Sequence, residues 1–263
     1  MLRQNETMTL LEATIIVIAG LIAGVINVVA GAGTLITFPT LLALGVPPIT
    51  ANVSNTVGLV PGSIAGVYGF RRELAGHWRA VGTMGAFSVV GGVAGGLLLL
   101  TQPEEAFVVV IPYLLVLAAV LSAVQPRVAR FVRRKAPDQP AVDTRPVTFG
   151  LLLGVLGTGI YGGYFGAAQG VILLALLGIL WSTDLHRANG AKNVLAGVAN
   201  LVSSVIFLSS GTVDWLIALL IGVGSFAGGV IGARVGRRLS APVLRVILVL
   251  VAVTAAVVLV VTR

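Results

Sequence analysis

Ala30-Gly31-Ala32-Gly33-Thr34 divides two apolar runs, 10–30 and 33–45. The first has the roughly 20 residues that a helix needs to cross a hydrocarbon core. The second rises only about 20 Å as a helix and falls short of that core. Glycine tolerates the backbone turns that other residues resist. A half-length helix that restarts at such a break leaves unpaired N–H groups, and the positive end of its dipole, inside the apolar phase. Backbone of that kind survives there only when buried in protein or lining a cavity. The stretch therefore predicts an α-helical membrane protein with a broken or re-entrant segment.

The rest of the chain agrees. Of its 263 residues, 57% are hydrophobic and 10% charged, and its mean hydropathy is +1.05. Soluble domains carry about 25% charged residues. Ten apolar segments can be drawn, at 10–30, 33–45, 50–70, 79–100, 104–124, 147–164, 167–181, 189–208, 214–235 and 241–261. Segments two and seven are the short ones, and each follows a glycine-rich stretch. Arg3 and the first apolar run imitate a secretory signal, but the run is long for one and Glu6 and Glu12 do not suit its charged start. We read it as a retained helix.

The chain also repeats itself at an offset of 137 residues. Gly20 meets Gly157, Ala30 meets Ala167, and Gly33 meets Gly170. Ala51-Asn52 meets Ala188-Asn189, Phe70 meets Phe207, Trp78 meets Trp215, and Gly91-Gly92-Val93 meets Gly228-Gly229-Val230. Small residues match readily in such a chain, but the Asn and Trp pairs in one unbroken register mark a duplication.

Charge supplies the orientation. Arg71, Arg72 and Arg79 flank the loop between segments three and four. Arg127, Arg130, Arg133, Arg134, Lys135 and Arg145 fill the central linker, and Arg234, Arg237, Arg238 and Arg245 flank the loop between segments nine and ten. These regions are expected in the cytoplasm. The loops at 101–105 and 209–214 hold no Lys or Arg and are expected outside. Equivalent loops thus fall on opposite sides, the signature of an inverted repeat, with an odd number of crossings per half and both termini outside. The predicted fold is an all-α polytopic membrane protein of 8–10 transmembrane helices, built from two inverted repeats of about five segments each. Its parts are a first repeat over 1–125, a basic cytoplasmic linker over 126–146 and a second repeat over 147–263. The net charge of +8 is this topology signal, not a nucleic-acid surface, since no basic patch carries interleaved aromatics.

Candidate site residues follow from the breaks and from polar groups in apolar surroundings. The first break offers Gly31, Gly33 and Thr34, and the second offers Gly166, Gln169 and Gly170. Helix starts are ready anion sites. Two of them, related by an inverted repeat, could serve one site near the midplane. Asn52 and Asn55 open segment three, while Asn189, Lys192 and Asn193 open segment eight. Polar groups in membrane helices face the interior or a cavity. Lys192 reads either as counter-charge for an anion or as a lysine snorkelling to the cytoplasmic interface. All nine acidic residues lie in loops or near segment ends, which disfavours a cation as substrate. If protons are coupled, Asp184 and His186 are the titrating groups at hand. With no cysteine and two histidines, the chain suggests neither a metal site nor a cofactor. The Gly-xxx-Gly faces at Gly58, Gly62 and Gly66, and at Gly224, Gly228, Gly232 and Gly236, read as helix packing and would also serve a homodimer.

Residues 31–45, followed by Ala51-Asn52-Val53-Ser54-Asn55-Thr56, resemble the first-repeat signature of the TauE/SafE sulfite-exporter family. Residues 161–170, followed by Ala188-Asn189-Gly190-Ala191-Lys192-Asn193, resemble its second-repeat signature, with a usual glycine run interrupted by Ala167, Ala168 and Gln169. The resemblance covers essentially the whole chain. It implies a multi-pass protein of a bacterial-type plasma (inner) membrane. Its partners would be the lipid bilayer and a small sulfur-containing anion such as sulfite, a sulfonate or sulfoacetate. The expected function is a secondary transporter with alternating access between the repeats. An uncoupled anion channel, or a permease for another small organic anion, would use the same features. An enzyme would need a catalytic constellation that this sequence does not display.

Overall fold

The structure is a computed structural model that describes residues 8–134 and 144–235. Among these residues there are nine helices and no strand. They are α1 (Leu10–Ala30), α2 (Thr34–Ala43), α3 (Pro48–Gly69), α4 (Trp78–Thr101), α5 (Glu104–Arg134), α6 (Phe149–Tyr164), α7 (Gln169–Leu180), α8 (Leu185–Leu208) and α9 (Trp215–Val235). Five of them, α1, α4, α5, α8 and α9, are long and apolar enough to cross a membrane. The chain is a multi-pass membrane protein, all-helical in its secondary structure over the described residues. The expected tenth segment, 241–261, lies outside the described residues, as do Arg237, Arg238, Arg245 and the middle of the linker.

Helix ends follow local chemistry. Thr9 caps α1 in a capping box with Glu12, satisfying two of the orphan N–H groups at the helix start. Pro48 opens α3 at a position that needs no N–H bond. Asp184 caps α8 by accepting from the His186 and Arg187 N–H groups. The helix α5 continues to Arg134, well past Val124, where the apolar run ends. Arginine is a good helix former, so loss of hydrophobicity ends the membrane segment without ending the helix.

The packing sorts the helices into two oppositely directed sets. Gly20 lies against Ile221 and Gly24 against Ser225, so α1 and α9 run parallel. Gly62 against Ser225 and Gly69 against Ala233 place α3 parallel to α9 as well. On the other side, Gly92 against Ala199 and Gly91 against Gly159 make α4 parallel to α8 and α6. The two sets meet head to tail, because Gly66 of α3 lies beside Asn193 of α8 while Gly197 lies beside Ser63. Equivalent helices α3 and α8 therefore run in opposite directions. Each half packs its first helix on the other half's fourth, α1 on α9 and α6 on α4.

One pair of hydrogen bonds repeats at the offset of 137. The Ser88 hydroxyl donates to the Leu195 carbonyl at 2.7 Å, and the Ser225 hydroxyl donates to the Gly58 carbonyl at 2.7 Å. Lipid supplies little hydrophobic drive between helices, so close small-residue contact and such bonds hold the bundle. The outward faces are apolar, with Tyr113, Phe149, Leu219 and Val223 exposed. Trp78 and Trp215, first residues of the oppositely directed α4 and α9, are both exposed. That suits anchors at the two membrane interfaces and accounts for the aligned Trp pair.

Candidate functional site

The two breaks meet. Gly31 ends α1 in the left-handed conformation, with φ of 76°. A Cβ added there would run into the Gly170 Cα. The Gly170 N–H donates to the Gly31 carbonyl at 3.0 Å. Short helices start on either side of this contact. Ten residues make α2 and twelve make α7, about 15 and 18 Å of helix, so neither spans a bilayer core alone. Thr34 opens α2 and is buried. Gly33 fits only as glycine, its missing Cβ lying 2.6 Å from the Ala23 carbonyl oxygen. Gly166, with φ of 75°, turns the chain between α6 and α7. Gln169 is buried, but its amide donates to the Thr158 carbonyl at 3.2 Å.

The polar residues fall into two clusters, not one. In the first, the Asn52 amide donates to the Tyr164 carbonyl at the end of α6, at 3.0 Å. Asn55 donates to the Thr34 hydroxyl at 3.3 Å and accepts from Thr37. In the second, Lys192 donates to the carbonyls of Asn27 and Val28 at 2.9 and 3.0 Å. Asn189 and Asn193 add their amides to the same Val28 carbonyl at 3.2 and 3.4 Å. Asn193 is level with Gly66 on α3, and Asn52 stands fourteen residues before Gly66 on that helix. The clusters are thus separated by about 21 Å of helix, with the meeting of the breaks between them.

Each cluster serves the C-terminal end of a helix that stops inside the protein. The Gly31 N–H already bonds the Asn27 carbonyl and the Phe165 N–H the Tyr161 carbonyl, but the Val28 and Tyr164 carbonyls beyond them have no intrahelical donors, and a cation or amide donor offsets the negative dipole end. Lys192 is 1% exposed. Its head therefore does not snorkel to an interface. Asp184 is occupied as the cap of α8 and His186 is exposed. Both precede Lys192 by about 9 to 12 Å along the helix. Sequence reasoning did not find Asn27, the one amide inside the first apolar run, nor the carbonyls of Val28 and Tyr164, which no side-chain pattern marks.

A family model described as "Sulfite exporter TauE/SafE" matches residues 16–259. The chain belongs to the TauE/SafE family. It is 28% identical over 240 residues to "Probable membrane transporter protein ORF9" of Sinorhizobium sp., covering 91% of this chain and 89% of that one. It is 27% identical over 215 residues to a "Probable membrane transporter protein" of Haemophilus influenzae, covering 82% and 81%. It is 26% identical over 232 residues to "Probable membrane transporter protein YfcA" of Escherichia coli K12, covering 86% and 83%.

The departure from the TauE/SafE glycine run has a structural consequence. Ala168 is the repeat equivalent of Gly31 and takes the same left-handed conformation, with φ of 58°; it is the one non-glycine residue with positive φ among the described residues. A left-handed L-residue costs roughly 1–2 kcal/mol, and glycine's extra chain entropy returns about half of that. Ala168→Gly is expected to stabilise the protein by about 0.5–1 kcal/mol, read as a raised unfolding midpoint. A lowered midpoint would show that the buried methyl contributes more through packing than the backbone loses.

Proposed function

We propose that this TauE/SafE protein is a secondary transporter of a small sulfur-containing anion such as sulfite, a sulfonate or sulfoacetate. Family membership carries the coarser half of that statement, that it is a membrane transporter. The single observation that carries the finer half is the contact of the two breaks, Gly31 on Gly170, each opening a short helix buried in the protein. Helix N-termini present positive potential to an anion, although the Gly170 N–H is itself bonded to the Gly31 carbonyl. The Lys192 ammonium, with the amides of Asn189 and Asn193, adds the positive group on one side of that contact, and Asn52 and Asn55 line the other. With equivalent helices running in opposite directions, rocking of one half against the other would expose the junction first to one side of the membrane and then to the other. We place the protein in a bacterial-type inner membrane with the linker cytoplasmic and both termini outside.

The test is flux of sulfite and of a short alkyl sulfonate into proteoliposomes, in wild type, Asn52→Ala and Lys192→Ala. Flux in wild type that falls at least tenfold in both folded variants supports the reading. Absence of flux for every sulfur oxyanion offered sinks the substrate class.

A further inference from the structure

The two helix ends inside the protein are equivalent by the repeat, but they are not equally supplied with positive charge. At the end of α1, the ammonium of Lys192 sits on the Asn27 and Val28 carbonyls, with two amides beside it. At the end of α6, the position equivalent to Lys192 is Asn55, which turns away to Thr34 and Thr37. The position equivalent to Asn193 is Thr56, whose hydroxyl donates within its own helix, to the Asn52 carbonyl at 2.9 Å. Only the Asn52 amide reaches the closing carbonyls of α6 among the described side chains, at Tyr164. The negative end of that helix dipole lacks the cation that its counterpart has built in.

A second observation points to a ligand. The Asn52 side-chain oxygen is buried without a hydrogen-bond partner, in a residue 1% exposed. An orphaned buried acceptor costs roughly 1–3 kcal/mol. Its own amide nitrogen already touches Tyr164, so the oxygen belongs to the same helix end. Asn200, equivalent to the Ser63 that faces Asn27 in the other half, brings its side-chain oxygen to 3.9 Å from the Cβ position at Gly166. The groups gathered there are carbonyl and amide oxygens with no carboxylate or basic side chain among the described residues, which suits an alkali cation. Helix C-terminal ends and unwound carbonyls hold sodium in other transporter architectures.

We propose that the C-terminal end of α6 binds a monovalent cation, sodium, through the Asn52 side-chain oxygen and the closing carbonyls of α6, as the mobile counterpart of the Lys192 ammonium at the end of α1. Its role as the coupling ion rests on the transport reading above; binding itself does not. A sodium ion there would enter with the anion and offset its charge.

The experiment is thermal unfolding of the purified full-length protein in detergent, in sodium chloride against choline chloride at equal ionic strength. A ligand that binds only the folded state raises the midpoint with its concentration. Sodium is expected to raise the wild-type midpoint by several degrees over choline. The shift should vanish in Asn52→Ala and persist in Asn52→Asp, whose carboxylate can replace the amide oxygen. No sodium shift in wild type, or a full shift in folded Asn52→Ala, overturns the proposal. Anion flux into proteoliposomes is measured alongside in both salts. Anion flux that is equal in sodium and choline, with no midpoint shift, would remove the cation site and leave the transport reading standing. A sodium shift with no flux of any sulfur anion would do the reverse.

Discussion

Gly31→Val is expected to lower the unfolding midpoint of the detergent-purified protein by about 6–12 °C, and to abolish flux. Two effects add. At φ of 76° an L-residue is strained by roughly 1–2 kcal/mol, more for a β-branched one. The new Cβ also meets the Gly170 Cα and comes within 2.7 Å of its carbonyl carbon. Backbone cannot step aside as a flexible side chain can, so α7 would have to move, at a further 1–3 kcal/mol or so. About 3 kcal/mol or more corresponds to that shift for a chain of this size. Gly45→Val separates the two effects, because Gly45 has φ of 79° and nothing within 4 Å of its Cβ position. It carries the backbone strain alone and should lose only about 1–2 kcal/mol. Equal losses in the two variants would mean that the meeting of the breaks contributes nothing to the fold.

That meeting was half legible in the sequence. The glycine content of 30–34 and 162–170 marked where the helices stop, and the offset of 137 marked the two breaks as equivalents. The start of α3 at Pro48 and of α8 at Leu185, or of α4 at Trp78 and of α9 at Trp215, keeps that offset. Lengths were overdrawn at segments two and seven because residues at both of their ends are spent on turns and caps, a use that hydropathy does not register. The partners of the polar residues were not legible. An amide in an apolar segment is known to need a partner inside the protein, but whether that partner is a substrate or the end of another helix depends on which backbone passes nearby. Asn52 and Asn189 align in sequence, so they read as one site. In the structure their helices run in opposite directions, which carries them to opposite ends of the α3–α8 contact.

Lys192→Met is expected to leave the unfolding midpoint unchanged or raise it, while anion flux falls at least tenfold. The sign of the stability change decides what the lysine is for. Its Nζ partners are both backbone carbonyl oxygens, and no carboxylate pairs with it among the described residues. A buried charge without a counter-charge is disfavoured by several kcal/mol after relaxation, and an apolar residue of like shape commonly relieves that. Two charge-assisted hydrogen bonds at a helix end return about 1.5–3 kcal/mol each, and Val28 keeps the amides of Asn189 and Asn193 when the lysine is gone. The balance is near zero for stability, so a helix cap is an inadequate reason to keep a positive charge at 1% exposure. Under the proposed anion reading, a visiting anion would supply the missing counter-charge and make the same ammonium favourable in the loaded state. A midpoint lowered by more than about 6 °C, with flux per folded protein unchanged, would make Lys192 a structural cap of α1 and move the anion elsewhere along the junction.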